Sequence, residues 1–278
     1  MKREDMLIEP VELLAKLGDP RLRIYDSTII FYMGMSAEEA AKVPPAREIY
    51  LAGHVPGAAF FDHQLFTDPI GKYEYTLAPD KMLAAQIGEI GIGEDAEVIV
   101  YASNVLVSAT RAWWVLRYAG VQNIRVLNGG LTAWKQAGGV VEAGEHKYDP
   151  AAFTPTFKRG MFASKEEVQA AVERGGVYIE NALFQDWHDR EHIPGLACLP
   201  LTDLTLGWES LRSQDEILAL VAVRPKGERI ITYCGGGIAA TLNAMGHLMV
   251  SNESVAVYDG SLFEWKGEGL PLSSNTGA

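Results

Sequence analysis

The sequence is 278 residues long, which favours two domains, because a single hydrophobic core stops growing near this size. Its net charge of −12 creates a field that repels nucleic acids and anionic membrane surfaces. The apolar runs are too short to span a bilayer, and we see no secretory signal in the first residues. The two cysteines, Cys198 and Cys234, could form at most one disulfide, which excludes a fold held together by disulfides. We therefore expect a cytoplasmic protein that binds neither nucleic acid nor membrane.

Three short sequence blocks occur twice in the same order, which indicates a duplicated domain. GHVPGA at 53–58 returns as EHIPGL at 191–196, VIVY at 98–101 as IITY at 230–233, and NGGLTAW at 128–134 as DGSLFEW at 259–265. The stretch between the copies is rich in Gly, Pro and Ala, as is typical of a linker. We place the first domain at 1–140, the linker at 141–157 and the second domain at 158–278.

The second copy alternates predicted helices and strands along the chain. A capping box at 164–167 starts a helix that ends near 174, further helices are predicted at 213–223 and 239–249, and strands at 177–180, 197–199, 230–233 and 255–258. This alternation predicts an α/β fold in which each domain is a parallel sheet with helices on both faces. Ligands of such sheets bind beyond the carboxyl ends of the strands, where Cys234 lies.

The segment after Cys234 has the composition of an anion-binding loop. Three consecutive glycines can turn their N–H groups inward as a nest, and the following helix adds the donors of its first turn. Such donors hold a cysteine as the reactive thiolate and would also stabilise the terminal sulfur of a persulfide. A buried, inert cysteine is the alternative. The predicted loop consists of Gly235, Gly236, Gly237, Ile238 and Ala239.

With these motifs the chain resembles the tandem rhodanese and 3-mercaptopyruvate sulfurtransferase family over essentially its whole length. The HVPGA and HIPG blocks, the strand, cysteine loop and helix of the second copy, and the closing DGS…EW block carry the resemblance. In that family the second domain bears the persulfide cysteine, here Cys234, and the first is catalytically silent. Ala102 takes the place of Cys234 in the first copy, in a loop one residue longer. The resemblance implies a sulfurtransferase that uses no metal and no organic cofactor.

The loop departs from both donor patterns of the family. Members that prefer thiosulfate tend to carry basic residues in it, and those that prefer 3-mercaptopyruvate tend to read CGSGVT, whereas Gly236 and Ala239 replace the hydroxyls here. Both donors stay open, and we favour 3-mercaptopyruvate because an uncharged loop suits a dianion less well. Arg190, before the HIPG block, and Arg111, after the silent loop, are candidate substrate-binding residues. The alternatives are a solvated Arg190 and an Arg111 stacked on tryptophan.

The predicted reaction is a double displacement through Cys234. A small anionic donor gives up sulfur, and a thiol, a thioredoxin-like protein or, in an assay, cyanide accepts it. Two other functions stay open at this point: a non-catalytic persulfide carrier and a cysteine-dependent phosphatase. The phosphatase would need an arginine six positions after the cysteine, where Ala240 stands.

Three further side chains are given structural interpretations. His188 and His192 are four residues apart, a spacing that suits zinc only on a helix, and the second of them enters an Ile-Pro-Gly turn. We therefore predict no metal site. Cys198 lies in a predicted strand and is expected in the core.

Overall fold

The first copy contains five strands, seven α-helices and a 3₁₀ helix among the residues that the structure, a computed structural model, describes: 1–32, 34–195, 197–222 and 228–276. In chain order they are α1 Arg3–Met6, β1 Leu7–Ile8, α2 Pro10–Lys16, β2 Leu22–Asp26, α3 Ala37–Ala40, α4 Ala46–Ala52, β3 Ala58–Phe60, the 3₁₀ helix His63–Phe66, α5 Asp80–Glu89, β4 Glu97–Tyr101, α6 Leu106–Ala119, β5 Ile124–Leu127 and α7 Gly130–Gln136.

The second copy begins after an extended segment. Its elements are β6 Phe162–Ala163, α8 Lys165–Arg174, β7 Tyr178–Asn181, α9 Gln185–Arg190, β8 Ala197–Cys198, α10 Leu201–Leu204, β9 Thr205–Leu206, β10 Ser210–Leu211, α11 Gln214–Val221, β11 Ile230–Tyr233, α12 Ala240–Met249, β12 Val255–Tyr258 and α13 Ser261–Gly267.

Each copy forms a five-stranded parallel sheet, and the two sheets have the same topology. The strand orders are β1-β5-β4-β2-β3 and β6-β12-β11-β7-β8, so β4 and β11 are the central strands. Every residue of both central strands is buried, as expected for strands covered on both faces. The predicted α/β fold is confirmed, and the domain boundaries at 140 and 158 stay predictions. No helix in the described ranges is long and apolar enough to cross a membrane.

Most predicted elements of the second copy lie within one or two residues of their observed bounds. The strands at 230–233 and 255–258 are observed as predicted, and the strand at 177–180 is shifted by one residue. The helix predicted at 213–223 ends at Val221, and residue 223 lies outside the described residues.

The capping box predicted at 164–167 is only half formed. The Ser164 hydroxyl accepts a hydrogen bond from the Glu167 N–H at 3.2 Å, as predicted. The Glu167 carboxylate instead accepts a hydrogen bond from Arg229 Nε at 2.9 Å. Arg229 belongs to the segment just before β11. A tertiary ion pair has therefore replaced the local reciprocal bond.

The two copies contact each other along the helices that follow the two loops. Helices α6 and α12 pack together, and the buried hydroxyls of Thr110 and Thr241 are 2.8 Å apart. The β9–β10 hairpin also contacts the first copy, where the Leu106 N–H donates to the Trp208 carbonyl at 2.8 Å. This packing brings the silent loop of the first copy next to the cysteine loop of the second.

Candidate active site

Cys234 lies at the carboxyl end of the central strand β11, where ligands of parallel sheets bind. Residues 234–239 form the loop that connects this strand to α12. Cys234 is 3% exposed, so only a small part of it reaches solvent. The site predicted from the sequence therefore has the expected place in the fold.

The hydroxyl of Ser261 fixes the backbone of this loop. It accepts hydrogen bonds from the N–H groups of Cys234 and Gly237, both at 3.1 Å, and donates to the Tyr258 carbonyl at 2.7 Å. Ser261 is fully buried and has a φ of 50°, a left-handed conformation that is uncommon for a residue with a Cβ. The sequence analysis assigned no role to Ser261; the available signal was that Gly130 occupies the matching position of the repeat.

Four of the five predicted loop residues offer free backbone donors. The N–H groups of Gly235, Gly236, Ile238 and Ala239 make no hydrogen bond to any part of the chain that the structure describes. Unpaired N–H groups at the start of a helix form an anion site, because the helix dipole adds to their partial charges. Such donors would stabilise a thiolate or a persulfide at Cys234.

Gly237 has a different role, since its N–H is already bonded to Ser261. Its φ is 75°, and a Cβ at this position would lie 2.4 Å from the Asp259 carbonyl oxygen. The loop can therefore make its turn only with glycine here.

Arg111 lies in α6 of the first copy and contacts the cysteine loop of the second copy. Its Nη1 donates to Asp259 Oδ1 at 2.6 Å and to the Gly237 carbonyl at 3.3 Å, and its Nη2 donates to the Tyr75 carbonyl at 2.6 Å. Arg111 is 2% exposed and lies 5.5 Å from the ring of Phe162, not against a tryptophan. Its guanidinium is thus bonded to groups of the protein, whereas we expected it to bind the substrate.

Arg190 lines a cleft of about 430 Å³ that opens beside Gly235. Its guanidinium pairs with Asp186 at 3.1 Å, and Lys266, which lines the same cleft, pairs with Glu191 at 2.5 Å. Both pairs are largely exposed, so each is worth little and its cation can turn to an anionic substrate. The sequence analysis missed Lys266 because it lies on a distant helix and belongs to no motif.

A second cleft, of about 440 Å³, shares Leu183 and Trp187 with the first and is almost entirely apolar. Phe184, Trp187 and Ala239 form its wall in the second copy, and Val105 and Val107 of the first copy face them. Trp208 at its rim is 51% exposed. The first copy therefore walls one side of the site.

The silent loop has no comparable cradle. Residues 102–105 alone separate β4 from α6, whereas 234–239 separate β11 from α12. The prediction of a longer loop in the first copy is therefore wrong: this loop is two residues shorter than the cysteine loop, because α6 begins earlier than α12 does. Gly130, which matches Ser261, has a similar φ of 55°, but a Cβ there would lie 2.1 Å from the Ala102 carbonyl oxygen.

The two histidines lie against each other, and Cys198 lies in β8, outside the cysteine loop. His188 and His192 are buried, and their rings stack with centroids 4.1 Å apart. His188 Nδ1 lies 3.1 Å from the amide of Asn181, and the described residues hold no group of three side chains that could bind a metal. Cys198 lies in β8 and is partly exposed, with its Sγ 3.4 Å from the Leu183 carbonyl oxygen. The prediction that it lies in the core is therefore wrong.

Comparisons with known proteins agree with this geometry. A family model described as "Rhodanese-like domain" matches twice, at residues 9–137 and 164–268. The chain is 32% identical over 267 residues to a 3-mercaptopyruvate sulfurtransferase of Escherichia coli K12, covering 91% of this chain and 92% of that protein. It is 30% identical over 266 residues to a thiosulfate sulfurtransferase of Bos taurus, covering 90% and 86%. The crystal structure of SseA from Escherichia coli aligns with a TM-score of 0.81 and 26% identity, covering 94% of this chain and 99% of that one.

Proposed function

The chain belongs to the rhodanese family and is a sulfurtransferase with two rhodanese-like domains, and from this premise we propose that Cys234 is the nucleophile that carries the sulfur. The observation that carries the proposal is the set of free backbone N–H groups that follows Cys234. Such preorganised donors stabilise developing negative charge without reorganisation, which is the largest catalytic contribution in many enzymes. The described loop holds no other nucleophilic side chain.

In the first half-reaction the Cys234 thiolate attacks the sulfur of the donor. With thiosulfate, a bond forms between Sγ and the outer sulfur, and the donor's S–S bond breaks with its electron pair leaving on sulfite. With 3-mercaptopyruvate, the carbon–sulfur bond breaks instead, the electron pair leaves on carbon as the enolate of pyruvate, and the thiol proton moves to that carbon. Both routes leave Cys234 as a persulfide anion, which the loop N–H groups hold.

In the second half-reaction the acceptor attacks the terminal sulfur of the persulfide. The bond between Sγ and that sulfur breaks, and its electron pair returns to Cys234 as the thiolate. Cyanide gives thiocyanate in an assay, and we propose a thiol or a thioredoxin-like protein as the acceptor in the cell. Turnover with cyanide separates this enzyme from a non-catalytic persulfide carrier.

The nucleophile is tested by replacing each cysteine in turn. Cys234→Ser should abolish sulfur transfer, and Cys198→Ser, the matched control, should leave it largely intact because Cys198 lies outside the loop. Intact-mass spectrometry after donor treatment should show one added sulfur in the wild type and in the control. An added sulfur that persisted in Cys234→Ser would refute the assignment.

We propose 3-mercaptopyruvate as the preferred donor, with its carboxylate bound by Arg190 and Lys266 on the rim of the cleft beside Gly235. The loop itself holds no cationic side chain, so only backbone dipoles would stabilise a dianion such as thiosulfate there. One of the two relatives above acts on 3-mercaptopyruvate and the other on thiosulfate, so family membership leaves the choice between them open.

The donor is tested by measuring kcat/KM for both compounds with cyanide as acceptor. Arg190→Ala should cost the 3-mercaptopyruvate reaction about 1.5 kcal/mol, the lower end for a hydrogen bond to a charged group because Arg190 is exposed. Arg47→Ala is the control, because Arg47 is also an exposed arginine in an ion pair, with Glu145, but it does not line this cleft. Faster use of thiosulfate by the wild type would contradict the proposal.

A further inference from the structure

A third cavity lies at the opposite edge of the sheet from Cys234. It has a volume of about 460 Å³ and is bordered by the residues just before β11 and at the start of β12, so it faces the amino ends of these strands. Arg117 at the end of α6 and Lys158 in the segment before β6 complete its walls. Both copies and the segment between them therefore meet in this cavity.

The cavity concentrates positive charge in a chain whose net charge is −12. Its walls carry Arg117, Lys158, Arg159 and Arg229 against one carboxylate, that of Glu253. Arg159 pairs with Asp80, and Arg229 with Glu167 at 2.9 Å. Of the four cationic side chains, Arg117 and Lys158 are the two that lack a carboxylate partner among the described residues.

Arg117 and Lys158 have no carboxylate partner among the residues that the structure describes. The Lys158 ammonium makes no hydrogen bond to them, and Arg117 donates only to the Gln122 carbonyl at 3.3 Å and to the Met1 sulfur at 3.4 Å. Glu253 is exposed and forms no ion pair with either. Two neighbouring cations, each partly buried, thus face the same cavity.

This arrangement is costly for the protein alone. Burial lowers the pKa of Lys158, and the nearby positive charge of Arg117 lowers it further, while Glu253 acts in the opposite direction. Burial also lowers the pKa of Arg117, against the opposing effect of Asp5 and Glu253. Partly buried charges are normally paired, so an unpaired pair of like sign indicates a place for an anion from solution.

We propose that this cavity binds a small phosphate-type polyanion between Lys158 and Arg117. A guanidinium offers a planar fork of donors, and an ammonium offers a compact charge, which together suit a phosphate group. The side chains of Met161, Leu248 and Val255 form apolar parts of the wall, so the space beyond the anion suits the organic part of a phosphate ester. The site lies apart from Cys234 and does not depend on the proposed function.

Trp114 provides a local signal for binding. Its buried indole lines the cavity, and its Nε1 donates to the Met161 carbonyl at 3.2 Å. Trp187 and Trp208 line the apolar cleft at the cysteine loop instead. In a protein labelled with ¹⁵N at the tryptophan indoles, pyrophosphate should shift the Trp114 resonance and leave the other two unchanged, also in Cys234→Ser. The Trp114 resonance is identified by its loss in Trp114→Phe.

Calorimetric titration with pyrophosphate and with inorganic phosphate then tests the two cations. Lys158→Gln and Arg117→Gln should each weaken binding roughly tenfold, as expected for a lost hydrogen bond between charged groups. Lys147→Gln, which removes an exposed lysine elsewhere, is the control. Without ligand, Lys158→Gln should melt no lower than the wild type, because it removes an unpaired charge, whereas a structural lysine would lower the melting temperature. Wild-type affinity in Lys158→Gln, or shifts confined to Trp187 and Trp208, would overturn the proposal.

Discussion

At the scale of single residues, the hydroxyl of Ser261 is the contact that the loop depends on most directly. It is the acceptor for two N–H groups of the loop and is itself held by the Tyr258 carbonyl. Without it, the N–H groups of Cys234 and Gly237 would be buried and unpaired, which costs about 1–3 kcal/mol each. If Cys234 is the nucleophile, as proposed, we expect Ser261 to act as its positioning residue.

Ser261→Gly and Ser261→Ala separate this role from the backbone conformation. Both variants should lower kcat/KM by at least roughly tenfold, because both lose the acceptor. Glycine accepts the positive φ and alanine does not, so Ser261→Gly should be the more stable of the two by about 1 kcal/mol in urea unfolding. Wild-type kcat/KM in Ser261→Gly would show that the hydroxyl does not position the loop.

The sequence singles out Cys234 because its neighbours are distinctive, whereas a serine in the first turn of a helix, as Ser261 is in α13, is common and carries no such signal. A serine at such a place normally indicates a cap, and only the folded loop shows which N–H groups its side chain reaches. Lys266 carries no signal in the sequence for a different reason: it lines the same cleft as Arg190 only once α13 and α9 are folded against the loop.

At the scale of the elements, the strand at 230–233 was predicted to the residue because a β-branched apolar run has clear ends there. The half-formed box at 164–167 shows the limit of such reasoning. Its second bond was lost to Arg229, which is remote in sequence. Local patterns predict which segments form, but tertiary partners decide which side chains complete them.

The glycines of the loop are predicted to differ sharply in their tolerance of a side chain. Gly237→Ala should lower both stability and activity, because its φ is 75° and the new Cβ would lie 2.4 Å from a backbone oxygen. The matched Gly236→Ala has no positive φ, and its Cβ would meet only the ring of Phe263, at 3.0 Å, which is half exposed and can move. Melting temperatures and cyanide-coupled rates of the two variants check this, and equal stability would contradict the turn geometry.

At the scale of the whole molecule, Arg111 connects the first copy to the cysteine loop of the second through its bonds to Asp259 and the Gly237 carbonyl. Its ion pair with Asp259 is nearly buried, with side-chain exposures of 3% and 16%. The duplication is visible in the sequence, but the orientation of the two copies is not. The bonds of Arg111 to Asp259 and to the Gly237 carbonyl could therefore not be predicted from the sequence.

Removal of one partner of this pair should destabilise the protein strongly. Arg111→Met should cost about 3 kcal/mol in the free energy of unfolding, because it leaves the Asp259 carboxylate buried without a counter-charge. Adding Asp259→Asn should recover part of that loss, and a double-mutant cycle should give a coupling energy of about 1–3 kcal/mol. Activity should fall with Arg111→Met and less with Arg111→Lys. Additive single effects would mean that the two side chains act independently.

The close approach of Gly130 to the Ala102 carbonyl makes the asymmetry between the copies hard to reverse. A cysteine at 102 would have no loop to hold its sulfur, since α6 begins at Leu106. A serine at 130 could not supply the missing hydroxyl, because its Cβ would meet the Ala102 oxygen at 2.1 Å. Point mutations at 102 and 130 alone should therefore not give the first copy a cysteine loop like that of the second. A second working centre in this chain would require the backbone to be rebuilt, by lengthening the loop and shortening the helix together.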